Sequence, residues 1–310
     1  MIELAPIAMF VYNRPEHTLR TLEALANNPE AKDSILYVYS DGPKENASYE
    51  ELEQIKATRN LVRQQQWAQE VILLEREKNI GLAASIINGI TEVVNRYGKI
   101  IVLEDDIVVS KGFLNYMNSA LDIYKDISDV MHISGFMHPI NSSNLPNTFF
   151  YNVNSCWGWG TWSDSWVLYE NNPHILQNRL LECEEIDWEK YNGFQGNEYY
   201  KQLLLNISGQ MNTWAVKWHT SLFLNKGKAV HPKISLTRNI GFDNTGVHCG
   251  KNNSFSEMEI LDFIEIDTNE LIKDYNLINS RIQSSFLTQS RKISVVRKIK
   301  NLLKKIIRIG

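Results

Sequence analysis

Cysteine is nearly missing from this chain. Cys156, Cys183 and Cys249 are scattered through 310 residues, odd in number, and none has zinc-ligand spacing. That argues against a disulfide framework and predicts a reducing compartment. No apolar run approaches the roughly 20 residues that span a bilayer. The opening Met1-Ile2-Glu3-Leu4-Ala5-Pro6 has no basic stretch, so no signal peptide is expected. No internal repeat or low-complexity tract is visible. Neither G-x-G-x-x-G after the first apolar run nor a P-loop sequence occurs, so a dinucleotide-type cradle is not supported. Acid is missing from residues 291–310, which hold eight Lys/Arg; without them the net charge of −4 becomes −12. An acidic body argues against a nucleic-acid binder, and the basic tail calls for a partner of its own.

What is present is organised around Lys99 to Ser110. Ile100 to Leu103 is a short apolar, β-branched run that reads as a buried strand. It ends on Glu104, Asp105 and Asp106. Three adjacent like charges cannot all be buried without something positive to compensate them. A divalent cation would do so. Mg²⁺ and Mn²⁺ take oxygen ligands, commonly one or two carboxylates plus substrate phosphates. The ordinary alternative is a solvated acidic turn.

The pattern upstream is strand, helix, strand, helix, strand, helix, strand. Ile7–Tyr12 is a strand ending at Asn13-Arg14-Pro15, followed by a helix with Leu19, Leu22 and Leu25 on one face. Ser34–Ser40 is a strand closed by Asp41-Gly42-Pro43, residues 48–66 are helical, and Val71–Leu74 is a third strand. Residues 75–81 form a loop through Asn79 and Gly81, and Leu82–Tyr97 has helical periodicity. This predicts an α/β fold with a mostly parallel central sheet and flanking helices. Right-handed crossovers would bring Asn13-Arg14, Asp41 and Asp106 to one edge, where open α/β sheets bind ligands.

Beyond residue 110 the character changes. Phe113–Tyr124 reads as a helix and Met131–Ser134 as a strand. Cys156-Trp157-Gly158-Trp159-Gly160-Thr161-Trp162 alternates Trp with small residues. Such a segment could form sugar-stacking platforms or a buried aromatic cluster. Trp162 and Trp166 have the spacing of one helix face and are expected in the core. Residues 174–210 are acidic, helical and loop-rich. Trp214–Leu224 reads as an amphipathic helix, and Ala229–Leu236 contains a short strand. The polar, Gly-rich stretch 239–250 carries Asp243 and His248 and is expected to be irregular.

These motifs together resemble the nucleotide-sugar glycosyltransferases of the GT-A (Rossmann-like) fold, and more narrowly the bacterial relatives of N-acetylglucosaminyltransferase I, over roughly residues 5–250. The resemblance implies that Asp106 holds Mn²⁺ (or Mg²⁺), that Asp105 reaches the ribose, and that Glu104 reaches the transferred sugar. It implies that Arg14, beside Asn13, contacts the diphosphate and that Asp41 lies near the uracil. The helix opened by Gly81 after Asn79 carries a base contact, a His in the family and Asn88 here. Trp157-Gly158-Trp159 lies below the donor sugar. His248 is a candidate metal ligand. One element departs: the family's catalytic Asp follows a Trp, and the matching stretch Trp214-Ala215-Val216-Lys217-Trp218 has no acid. Glu198, after Gly196-Asn197, and then Asp243 are the candidates for a base.

The expected activity is metal-dependent transfer from a uridine diphosphate sugar to a hydroxyl of a bacterial surface glycan, free or lipid-linked. Inversion is expected, although the missing acid leaves stereochemistry open at this stage. The competing readings are a sugar-phosphate nucleotidyltransferase and a non-enzymatic carbohydrate-binding module. The chain divides into a nucleotide-sugar half (1–110), an acceptor-side half (111–255), a helical extension (256–290) and a basic amphipathic tail (291–310). That tail is expected to hold a cytoplasmic protein on the anionic inner face of the membrane.

Overall fold

A computed structural model describes residues 3–143, 145–192, 199–243, 257–268, 280–282 and 284. Glu198, His248, Cys249 and the tail 291–310 lie outside the described residues.

The first half runs β1 (Ile7–Val11), α1 (Pro15–Ala26), β2 (Ile35–Ser40), α2 (Tyr49–Gln64), β3 (Glu70–Glu75), α3 (Leu82–Tyr97), β4 (Lys99–Glu104) and β5 (Ile107–Val109). Then come α4 (Phe113–Ile123), β6 (Val130–Ser134), β7 (Thr148–Tyr151), β8 (Trp159–Trp162), α5 (Ser163–Trp166) and α6 (Pro173–Glu182). The remainder is α7 (Trp188–Asn192), α8 (Tyr199–Ile207), α9 (Ala215–Leu224), β9 (Lys228–Pro232) and β10 (Thr237–Asn239).

Among the described residues, eight strands form one sheet in the order β3-β2-β1-β4-β8-β6-β9-β7, and β10 pairs with β5 as a separate ribbon. β3, β2, β1 and β4 are mutually parallel. β8 enters antiparallel between β4 and β6, and β9 returns parallel to β6. The expected α/β architecture is therefore the one observed.

Alternation along each strand feeds two cores. Ala8, Phe10, Ile100 and Val102 face α3 and the tryptophans of α9. Ile7, Met9, Ile101 and Leu103 face α1, α2 and α4. Each fully buried aliphatic side chain there contributes about 1.5–3 kcal/mol. Both faces of β1 and β4 are covered, which is why they read as continuous apolar runs.

Local chemistry sets the helix ends. Ser48 accepts a hydrogen bond from the Glu51 amide at 3.1 Å, capping α2. Gly81 precedes α3 with φ +82° and Gly98 ends it with φ +76°, conformations that strain residues with a Cβ.

One expectation needs correcting. Trp162 and Trp166 do not share a helix: Trp162 closes β8 and Trp166 lies in α5. Their spacing straddles a junction at Ser163, whose amide donates to the Gly98 carbonyl at 2.9 Å. Both still pack inward. Trp162 donates through Nε1 to the Leu121 carbonyl (3.1 Å), and Trp166 through Nε1 to Thr91 (2.9 Å).

Candidate active site

β1 and β4 are parallel neighbours, so their carboxyl ends deliver Arg14 and the acidic triplet side by side. Arg14 forks onto Asp105: Nε donates to Oδ2 at 3.2 Å, and Nη2 donates to Oδ1. Nη2 also lies 3.0 Å from Asp106 Oδ2. Nη1 is buried and has no hydrogen-bond partner among the described residues. A guanidinium with one nitrogen committed to neither carboxylate is suited to an incoming anion.

The turn that carries the acids is clamped from two sides. Thr21 of α1 donates to the Asp105 carbonyl at 2.8 Å, and the Ile240 amide donates to the Asp106 carbonyl at 2.9 Å. Gly241 follows directly, and any side chain there would collide with Asp106 Oδ2. The glycine thus lets the 240–243 backbone close against the triplet.

Electrostatics show a shortage of positive charge. Burial, then Asp106 and Asp105, push Glu104 up to about 8, only partly offset by Arg14. Burial also raises Asp105, to about 6, against the opposing pull of Arg14. Burial works against the charge on Arg14, but Asp105 and Asp106 outweigh it and hold the guanidinium charged. Among the described residues one guanidinium, with His17 further off, thus faces three carboxyl groups. The donor set is all oxygen, and the excess negative charge suits a hard divalent cation. Among the described residues no three metal-ligating side chains converge. The residues therefore fit a cation held by Asp106 and completed by substrate oxygens, not a closed protein cage.

The other expected donor residues divide into three groups. Asp41 is buried, and its carboxylate accepts from the amides of Gly42 (2.9 Å), Ile80 (3.0 Å) and Gly81 (3.0 Å). Asn79 donates through its side chain to the Gly42 carbonyl at 2.9 Å. These two join the ends of β2 and β3 to the start of α3, on the same sheet edge as Arg14. Asn13 sits half-buried in the turn between β1 and α1. Asn88 is exposed, about 10 Å along α3 from Gly81.

The tryptophan pair separates. Trp159 is fully buried, stacked on Trp214 at 5.3 Å and on His132 at 5.0 Å. It has no face left for a ligand, which corrects its expected place in the donor site. The inward side of β8 requires it in the core. Trp157 is half-buried, with Phe136 and Phe242 edge-on at 4.5 and 5.5 Å. Its carbonyl accepts from Thr237 Oγ1 at 2.7 Å. Gly158 between them has φ +77° and sits against Thr237 and Phe113.

Asp243 is half-exposed and pairs with His17 Nε2 at 3.1 Å. His17 was missed in the sequence, although it lies one turn after Arg14 on α1, the spacing that puts two side chains on one face. Phe242 and Gly241 were also missed, since nothing in a polar Gly-rich stretch marks Gly241 as abutting an acid. The stretch Trp214–Trp218 opens α9, with Trp214 and Trp218 buried beside Trp159.

A sequence model of the family described as "Glycosyl transferase family 2" matches residues 7–161. Among solved structures, TarS from S. aureus is similar with TM-score 0.32 and 13% identity, covering 57% of this chain and 30% of that one. An active-site mutant of LgtC is similar with TM-score 0.37 and 9% identity, covering 60% of this chain and 69% of that one. The chain thus spans under a third of TarS. No curated protein matches it.

Proposed function

The chain belongs to glycosyl transferase family 2, and on that premise we propose that it moves a sugar from a uridine diphosphate donor to a hydroxyl of a glycan acceptor with the help of a divalent cation. The observation that carries this reading is the fork of Arg14 on Asp105 and Asp106 at the ends of β1 and β4. A site that sets three acids against one guanidinium, and is short of positive charge, suits a ligand bringing both phosphates and a metal.

In this reading Asp106 is the protein's metal ligand, with His248 a second candidate. The cation, when bound, supplies Lewis-acid stabilisation of charge on the departing diphosphate. Arg14 donates to the same oxygens and adds to that stabilisation as the glycosidic bond breaks. Asp41 and Asn79 hold the Gly81 end of α3 where the nucleoside would lie. The acceptor oxygen attacks the anomeric carbon, UDP leaves, and an inverting reaction sends the hydroxyl proton to a nearby base. Asp243 or Glu198 would take it. The narrower likeness to N-acetylglucosaminyltransferase I rests on the motifs alone, and its catalytic acid is missing at Ala215. A nucleotidyltransferase is less well supported, because Asn13-Arg14-Pro15 is not a Gly-rich phosphate loop. A binding module leaves the triplet without a role. The reading also includes the tail, residues 291–310, as an anchor on an anionic inner membrane surface; no helix among the described residues is long and apolar enough to cross one.

The test is UDP-sugar hydrolysis and transfer, with and without Mn²⁺, in the wild type and in Asp106→Ala and Asp106→Asn. Both variants should lose metal-dependent turnover by about 10²–10³-fold or more while folding normally, since Arg14 keeps its fork on Asp105 and one of three crowded carboxylates is relieved. Wild-type turnover in Asp106→Ala at saturating donor would remove the metal assignment.

A further inference from the structure

A cavity of about 350 Å³ lies between the start of α9, α8 and the loops around Phe136 and Asn154. Trp157 forms part of its wall. The same indole meets Phe242, whose neighbour Gly241 abuts Asp106 and Arg14. Trp157 therefore stands between the cavity and the 240–243 segment that closes on the triplet. Ala215 and Val216, at the start of α9, form another part of the wall.

The lining has a single chemical character. Phe136, Tyr151, Trp157 and Tyr199 supply aromatic surface, and Asn154, Ser155 and Gln202 supply neutral donors and acceptors. Among the described residues, no Lys, Arg, Asp or Glu lines it. Three histidines complete it. His219 Nδ1 lies 2.8 Å from Asn154 Oδ1 and its Nε2 2.8 Å from the Tyr191 carbonyl. His231 lies between the Phe136 and Val153 carbonyls, at 3.0 and 2.8 Å, and ties together the loops on either side. Burial lowers His138, His219 and His231 to about 4, against the pull of backbone partners on the last two.

We propose that this cavity is the acceptor subsite and that it takes one uncharged sugar ring, rejecting sugars that carry a carboxylate or a phosphate. Aromatic faces pack on the C–H face of a pyranose, and neutral amides and hydroxyls satisfy its OH groups. The volume is at the small end for ligand pockets, enough for a single ring with its substituents. An anionic sugar would lose its hydration with no cation among the described lining residues to replace it. The two sides of Trp157 thereby divide the work: Arg14 reads the anion, and the cavity reads the neutral ring. The assignment to an acceptor rests on the glycosyltransferase reading above.

The test is saturation-transfer NMR on the full chain with Mg²⁺ and UDP present. The probes are methyl glycosides of glucose, galactose, mannose and N-acetylglucosamine, with methyl glucuronide, methyl galacturonide and the hexose 6-phosphates as charged counterparts. At least one neutral glycoside should bind, and its charged counterpart should bind about tenfold more weakly or worse. Ala215→Phe should weaken the neutral glycoside by about tenfold or more while UDP affinity by calorimetry stays within about twofold. Gln202→Arg, a milder change on half-buried α8, should shift preference toward the uronide. The proposal is overturned if no neutral glycoside binds, if the uronide binds equally well, or if both variants leave the preference untouched. Displacement of the glycoside by UDP-glucose, UDP-galactose or UDP-N-acetylglucosamine, but not by UDP, would give the cavity to the donor and overturn the acceptor assignment. Metal-dependent hydrolysis of a UDP-sugar without glycoside binding sinks this proposal alone. Glycoside binding without affinity for any UDP-sugar sinks the transferase reading, and the acceptor assignment with it.

Discussion

Arg14 Nη2 stands 3.0 Å from Asp106 Oδ2 while the rest of its guanidinium is forked on Asp105. The residue proposed to meet the donor diphosphate thus already neutralises the residue proposed to hold the metal. Without donor, Arg14 is the counter-ion of the triplet; with donor and cation, its charge is available to the phosphates. Arg14→Ala should therefore weaken UDP binding and slow transfer by about 10²–10³-fold. Arg14→Lys should restore little, because an ammonium cannot fork two oxygens. Calorimetry and initial rates check both, and unchanged constants in Arg14→Ala would assign the residue to the turn alone.

Glu104 gives a prediction about stability. Burial and its acidic neighbours raise it to about 8 in the folded chain, from an ordinary 4.5. A carboxyl raised on folding contributes stability that is fully present below about 4.5 and is lost as pH rises through about 8. Glu104→Gln keeps the neutral form at every pH. Measured in EDTA, the variant should melt higher than wild type at pH 8–9, by about 2–4 °C per kcal/mol of relieved repulsion. The gap should close as pH falls toward 4.5. Burial holds His132 well below its usual range and places His138, His219 and His231 at about 4, so stability is also lost as pH falls from 6.5 toward 4. That loss is common to both proteins and cancels in the difference. A gap that does not change with pH would contradict the assignment.

The base can be found by comparing rate with affinity. Asp243 is close enough to the triplet to pair with His17 of α1. Glu198 immediately precedes Tyr199, which lines the cavity. Replacing the true base by its amide should lower turnover by about 10²–10⁴-fold with little change in donor affinity. Glu198→Gln and Asp243→Asn are the two variants. Normal turnover in both would mean a base elsewhere or a retaining reaction, and the anomeric configuration of the product separates those outcomes.

How far the sequence could be read depends on which physical signal each element carries. β1 and β4 were legible because both faces are buried, leaving an apolar run with polar ends. α3 was legible to the residue, Leu82–Tyr97, because glycines punctuate both its ends. β7 and β8 have four residues each and β5 and β10 three, too few for a period to show. At β8 an apparent helical spacing misled, since Trp162 and Trp166 belong to consecutive elements. The triplet declared itself as excess charge. Its contact with Arg14 crosses 91 residues; the crossovers of a parallel sheet put the two at one edge, but not in contact. Trp157 and Trp159 looked equivalent as letters. Only the pairing of β8 between β4 and β6 sends one into the core and leaves the other on the cavity wall.

The last prediction concerns the tail. Val295, Val296, Ile299, Leu302, Leu303, Ile306 and Ile307 recur at three- and four-residue steps, which would form one apolar stripe on a helix. Lys298, Lys300, Lys304, Lys305 and Arg308 fall largely on other faces, with no acid among residues 291–310. Such a helix is too short in continuous apolar length to span a bilayer but suited to lying in its interface. Anionic headgroups would add about 1 kcal/mol per basic residue near the surface. The competing possibility is a terminal helix that docks its stripe on the acidic body of the same chain. The two differ in what truncation does. If the tail is an anchor, deleting 291–310 should abolish sedimentation with anionic vesicles while transfer to a small soluble acceptor survives. Binding of the full chain should also weaken as salt rises, because surface charges are screened beyond about 10 Å at 0.1 M. A docked helix would leave vesicle binding equal in the two proteins and lower the melting temperature of the truncated one.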